Sequence, residues 1–181
     1  MIDLRNKDLP QAIEVNGKSF LIKTDFREWL KFGELIRNKD VKYKELAYLF
    51  EGKSPKYPYI EQLFSFYSNP NITPKNTSSD SDNLVDFILD GEYIVAGFYQ
   101  AYGIDLTSIP YMHWHLFKAL FSGLPSNTFI KEIMSMRGYK KDTKSYEKQQ
   151  QELKEIWRLP SNNKVMDEDL MNEINELFYN S

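Results

Sequence analysis

A chain of 181 residues with 41% hydrophobic content is long enough to bury one compact core, so a single domain is the starting expectation. A formal net charge of -3 and a pI near 5.5 argue against nucleic acid as a partner, because phosphate binding shows itself as a basic excess. The absence of cysteine excludes a disulfide framework, a thiol nucleophile and any cysteine-ligated zinc or iron–sulfur centre, which fits a cytosolic protein.

The N-terminus "MIDLRNKDLP" has no basic region followed by an apolar run of signal length. No stretch approaches the roughly 20 apolar residues that cross a bilayer, so an unprocessed chain without a membrane partner is expected. The first element is a hairpin over "AIEVNGKSFLI". Asn16-Gly17 supplies the two positive φ angles of a type I′ turn, and pairing across it sets Ile13 opposite Phe20. Such a ribbon is marginal alone and has to lie on something else. A helix from about Asp25 to Arg37 follows and can cover it, with Asp25 and Glu28 at capping-box spacing and Phe26, Trp29, Leu30 and Ile36 on its apolar face.

Residues 41–68 read as a short helix around "KELAYLF", a "GKSPKYP" break and a second helix around "YIEQLFSFY". The stretch "NPNITPKNTSSDSD" is the clearest loop, since its Pro, Asn, Ser and Thr favour turns and offer little to bury. From Asn83 to Tyr102 apolar residues recur at helical spacing on most sides, as in a central helix. Gly91 marks a bend or junction, Ala96 and Gly97 admit a close neighbour, and Gly103 suits a C-terminal cap. Three more helices follow in "PYMHWHLFKALFSG", "SNTFIKEIMSMRG" and "TKSYEKQQQELKEIW", and after "LPSNNK" comes an acidic helix, "DEDLMNEINELF". Its stripe of Leu170, Ile174, Leu177 and Phe178 must bury against its own body or a partner.

Three candidate sites arise. On a helix over 111–123, positions two apart point about 200° from each other, so His113 and His115 do not share a metal ion. Trp114, Leu116, Phe117, Leu120 and Phe121 read as core rather than a cofactor box. Asp86 and Asp90 lie one helical turn apart, and the expectation is a solvated acidic face without catalysis. The most basic segment, "RGYKKDTKSYEKQQQELKEIWR", interleaves Lys with Glu and Gln in the manner of an exposed helix laced with weak ion pairs. Neither a Gly-rich phosphate loop after a strand nor a G-x-S-x-G elbow occurs.

The blocks "LPQAIEVNGKSFLIKTDFREWLKFGELI", "DFILDGEYIVAGFYQAYGIDL", "MHWHLFKALFSGLPSNTFIKEIMSMRGY" and "LKEIWRLP" closely resemble, in order, those of the bacteriophage gp-fifteen family of tailed phages and prophages of Gram-positive bacteria. The resemblance covers most of residues 9–160, and its most distinctive words are "YGIDL", then "HW", "F" and "LP", then "RG". Members are encoded between the tail tube protein and the tape measure protein. That position implies a tail assembly chaperone of the host cytoplasm, which holds the aggregation-prone tape measure protein until tail tube subunits polymerise around it. The implied partners are the tape measure protein, the tail tube protein and further copies of the chain, with no catalytic motif and no cofactor. A structural minor tail or head–tail connector protein is the alternative within the same gene neighbourhood, and an enzyme or metalloprotein using His113 or His115 the alternative from another class.

The expected architecture is mainly α, a compact domain of about six to eight helices with a short N-terminal β-hairpin. That domain spans 1–160 with a loop near 69–83, and 161–181 form an acidic C-terminal helix or tail.

Overall fold

The computed structural model describes residues 5, 8–37, 43–56, 59–68, 84–139 and 147–159. The loop expected near 69–83 and the acidic element expected over 161–181 lie outside the described residues, as do residues 140–146 of the basic segment. Among the described residues the chain is mainly α, with seven helices and one two-stranded antiparallel hairpin. They fall into two compact units, one holding residues up to 68 together with 111–118, the other 84–110 together with 119–159.

In the first unit β1 (Ala12–Val15) and β2 (Lys18–Leu21) pair with Ile13 opposite Phe20. Asn16 and Gly17 take φ of 50° and 72°, the two positive angles that a type I′ turn requires. The chain leaves β2 extended and makes two single bridges, Ile22 to Phe50 and Asp25 to His113, so backbone bonding continues beyond the ribbon. Helix α1 (Phe26–Arg37) buries Phe26, Trp29, Phe32, Gly33 and Ile36, a stripe at three- and four-residue spacing. Asp25 caps it by accepting the Arg27 amide at 3.0 Å, while Glu28 receives Lys31 at 3.2 Å. The helix expected around "KELAYLF" is a 3-10 helix over Tyr43–Leu49, and α2 (Ile60–Ser68) packs on β1 more extensively than α1 does. The expectation that α1 covers the hairpin is corrected accordingly, because the ladder past β2 turns α1 onto the aromatic residues Phe66, Tyr67 and Phe117.

In the second unit α3 (Gly91–Tyr102) starts at Gly91, not at Asn83 as its apolar pattern suggests. Residues 87–90 form a turn held by Asp86, and the apolar residues before Gly91 reflect that turn instead of a helical face. Gly103, at φ 65°, ends α3 with its amide on Tyr99 O at 2.9 Å, and Ile104 N reaches Phe98 O in the pattern of a left-handed cap. Helix α5 (Phe129–Arg137) lies between α3 and α6 (Glu147–Ile156). It approaches α3 so closely at Gly97 that a Cβ there would sit 3.2 Å from Ile130 Cγ2. Helix α4 (Trp114–Ser122) contributes its first half to one unit and 119–122 to the other. No helix among the described residues is long and apolar enough to cross a membrane.

Candidate functional site

The two histidines sit at the start of α4, and His113 precedes the helix instead of lying in it. The 200° separation of helical positions two apart therefore does not apply, and the rings stand 5.1 Å apart edge to face. This corrects the geometric premise. His113 Nδ1 accepts the His115 amide at 3.0 Å, which makes His113 the cap of α4 and leaves its proton on Nε2. From there it donates to Pro10 O at 2.9 Å. His115 Nε2 donates to Phe66 O at 2.9 Å, and its Nδ1 is buried with no hydrogen-bond partner among the described residues.

The same turn of α4 carries two more donors. Trp114 Nε1 donates to Tyr67 O at 2.9 Å and Lys118 Nζ donates to the same oxygen, lying 5.0 Å from the Trp114 ring centroid. Phe66 and Tyr67 are the last turn of α2, whose carbonyls have no partner within their own helix. Trp114, His115 and Lys118 thus satisfy the C-terminus of α2 from the side, and Lys118 adds the positive charge that this end of a helix favours. Burial pushes the Lys118 ammonium down to about 8 and the His115 imidazole down to about 4, and it lowers His113 as well. Both histidines are therefore neutral near pH 7. Among the described residues no group of three or more His, Cys, Asp and Glu is placed to hold a metal ion.

Asp86 and Asp90 are buried, against the expectation of a solvated face. They remain one turn apart, with the Asp90 amide on Asp86 O at 2.8 Å, but the turn faces inward. Asp86 Oδ1 accepts the amides of Ile88 and Leu89, and Asp90 Oδ2 accepts that of Asp86. Arg137, at the end of α5, meets Asp90 with both terminal nitrogens at 2.5 and 2.8 Å. It also donates to Trp157 O at 2.6 Å and Leu84 O at 3.0 Å. One guanidinium so ties the start of α3 and the end of α6 to α5. A planar fork with five donors suits this work and an ammonium does not. No spacing rule finds this partner, because Asp90 and Arg137 are 47 residues apart.

With these titratable groups engaged inside the units, the exposed large apolar side chains are the remaining candidates for a functional surface. Trp114, Phe117 and Phe121 are core as expected, whereas Leu116 is exposed. In the second unit Ile88 and Ile156 are 61% and 72% exposed, alongside Leu89, Tyr99 and Phe129. Tyr93 of α3, Phe129 of α5 and Trp157 after α6 form an edge-to-face triangle with centroids 5.2, 5.3 and 5.8 Å apart. Each ring presents an edge to the face of a neighbour, the arrangement that aromatic quadrupoles favour, so the three are mutually fixed. The described part of the basic segment, α6 and the residues after it, is largely exposed, with Arg158 and Glu155 paired at 3.5 Å.

No curated protein and no solved structure matches the chain. A family model does match, the one described as Bacteriophage Gp15 protein, and it covers residues 6–159. That span contains the hairpin, every described helix, the histidine clamp and the Asp90–Arg137 knot, and the chain belongs to this bacteriophage family.

Proposed function

We propose that the chain is a tail assembly chaperone of a siphophage or prophage of a Gram-positive host. It binds the tape measure protein in the host cytoplasm, helps recruit tail tube subunits and is left out of the finished virion. The reading is supported by membership of the bacteriophage family, together with the gene position between tail tube and tape measure that the sequence resemblance implies. The observation that carries it is how the surface and interior are shared out. The histidines, Asp90 and Arg137 are spent on internal bonds, while Ile88, Leu89, Tyr99, Phe129 and Ile156 stand exposed. Holding a client by mass action calls for apolar surface and makes no demand on reactive groups. On this reading the chain is not an enzyme and needs no cofactor.

Co-expression with the neighbouring tape measure gene tests the reading. A soluble complex, and absence of the chain from purified virions by mass spectrometry, are the expected results. Stoichiometric presence in virions would instead make it a minor tail or head–tail connector protein.

A further inference from the structure

The aromatic triangle of Tyr93, Phe129 and Trp157 has a glutamate beside each corner. Glu92 precedes Tyr93, Glu132 lies one turn after Phe129, and Glu155 stands two residues before Trp157; all three are exposed. The cations of the same region are directed elsewhere. Lys131 donates to Ser122 O at 3.3 Å and lies 5.3 Å from the Phe121 ring centroid, Lys154 donates to Tyr139 O, and Arg158 is paired with Glu155. Tyr93, Phe129 and Trp157 are thus bordered by the exposed Glu92 and Glu132, while Lys131 and Arg158 are engaged by other groups.

We propose that this face is a docking site for a basic amphipathic helix of a partner protein. The apolar stripe of that helix lies on Phe129, Tyr93 and Trp157, and its Lys and Arg side chains meet Glu92 and Glu132. Charge selects this occupant over the segment after Pro160, which carries Asp167, Glu168, Asp169, Glu173 and Glu176 against one Lys164. That segment would set like charge against the glutamates, whereas a cationic helix gains attraction at the rim and area at the centre. The inference rests on the chaperone reading only in taking the partner to be the client; the chemistry of the face stands apart from it.

The test uses the full chain and two designed 21-residue peptides with Leu at helical spacing, one with Lys on its polar face and one with Glu. Fluorescence anisotropy should give a dissociation constant at least about tenfold lower for the Leu/Lys peptide, an advantage that shrinks on raising salt. Phe129→Ser should weaken binding about 30-fold, the range of a central aromatic contact. Because Phe129 also packs on its neighbours, Glu132→Lys and Glu92→Lys serve as variants outside the core. Each should weaken binding about three- to tenfold and flatten the salt dependence, with helicity unchanged. Leu21→Ala, an exposed apolar position of the other unit, should leave binding as it is. Equal affinity for the two peptides, or indifference to the glutamate reversals, overturns the inference. So does a homodimer that Phe129→Ser dissociates, since the occupant is then a second copy. If the tape measure product binds wild type and Phe129→Ser equally, the face is wrong and the chaperone reading stands. Peptide binding that follows the stated pattern without tape measure binding leaves the face and removes the chaperone.

Discussion

The two units bury polar groups by different chemistry. In the first, neutral imidazoles, an indole and one lysine donate to backbone carbonyls, so that the start of α4 closes the end of α2. In the second, a guanidinium and a carboxylate meet with their side chains 6% and 2% exposed, and each also bonds to backbone. The difference teaches that one helix joint depends on two imidazoles staying uncharged beside a lysine and the other on a carboxylate and a guanidinium staying charged. Acid and mutation should therefore separate the two units.

The largest effect expected is from Arg137→Ala. Removing the guanidinium leaves the Asp90 carboxylate buried without its counter-charge and abandons the carbonyls of Leu84 and Trp157. Breaking a buried pair from one side costs about 3–5 kcal/mol. Urea unfolding at pH 7, followed through tryptophan fluorescence and far-UV circular dichroism, measures it. A loss below 1 kcal/mol would mean that water already reaches Asp90.

Acid should act first on the other unit. His115 titrates at about 4 in the folded chain against 6.5 unfolded, because burial opposes its charged form. Above the unfolded value both states are neutral and its contribution to stability is complete. As pH falls from 6.5 towards 4 the unfolded chain takes up a proton that the folded chain does not, and stability declines by at most about 3 kcal/mol. His113, also lowered, adds loss of the same sign. Protonation would place hydrogen on His113 Nδ1 against the His115 amide, and on His115 Nδ1 where no acceptor stands among the described residues. Lys118 nearby opposes both charges. Stability measured between pH 7 and pH 4 should fall steadily, and His115→Phe should flatten the profile. A flat wild-type profile would show that the imidazoles are open to solvent.

These two joints also mark the limit of what the sequence discloses. The hairpin register, the stripe of α1 and the cap at Gly103 follow from local rules, because each depends on residues within about two turns. At Gly97 the sequence shows only that a side chain is missing, and the neighbours it admits, Ile130 and Leu124, are far away in the chain. The distinctive words of the family resemblance fall on joints as well. "YGIDL" ends α3 and then turns on Asp105, which accepts the Thr107 amide and hydroxyl at 2.9 and 2.6 Å. In "HW", His113 caps α4 and Trp114 donates to the end of α2, and "RG" supplies Arg137. The burial of Asp86 and Asp90 was hidden because their pattern is the same as that of a solvated face until a distant arginine is known. The start of α3 is hard to place from sequence for a related reason. Leu84, Val85, Phe87, Ile88 and Leu89 mimic helical periodicity, while Asp86 folds them into a turn by taking two amides. The aromatic triangle joins positions 93, 129 and 157, which no local pattern connects.

Backbone approach gives the smaller tests. Gly33 in α1 lies under Tyr67, and a Cβ there would stand 2.4 Å from the Tyr67 hydroxyl oxygen. Tyr67 has little room to withdraw, since its ring stacks on Trp114 at 5.2 Å and meets Phe32 at 5.4 Å. Gly33→Ala should therefore cost about 1–3 kcal/mol by overpacking, even though alanine is the better helix former. Retention of full stability would show that Tyr67 swings aside.

Gly97→Ala is the counterpart in the second unit, and its effect should be the smallest. The nearest atom to an added Cβ is Ile130 Cγ2 at 3.2 Å, with Leu124 Cδ1 at 3.5 Å. These are aliphatic ends, which yield by a few tenths of an ångström more readily than a ring held on two sides. The strain is then comparable to the roughly 1 kcal/mol that alanine gains over glycine inside a helix, and the two oppose each other. The net change should stay within about 1 kcal/mol of zero, measured by the same urea titration as Gly33→Ala. A larger loss at Gly97 than at Gly33 would reverse the comparison and place the tighter helix crossing in the unit held by the Asp90–Arg137 pair.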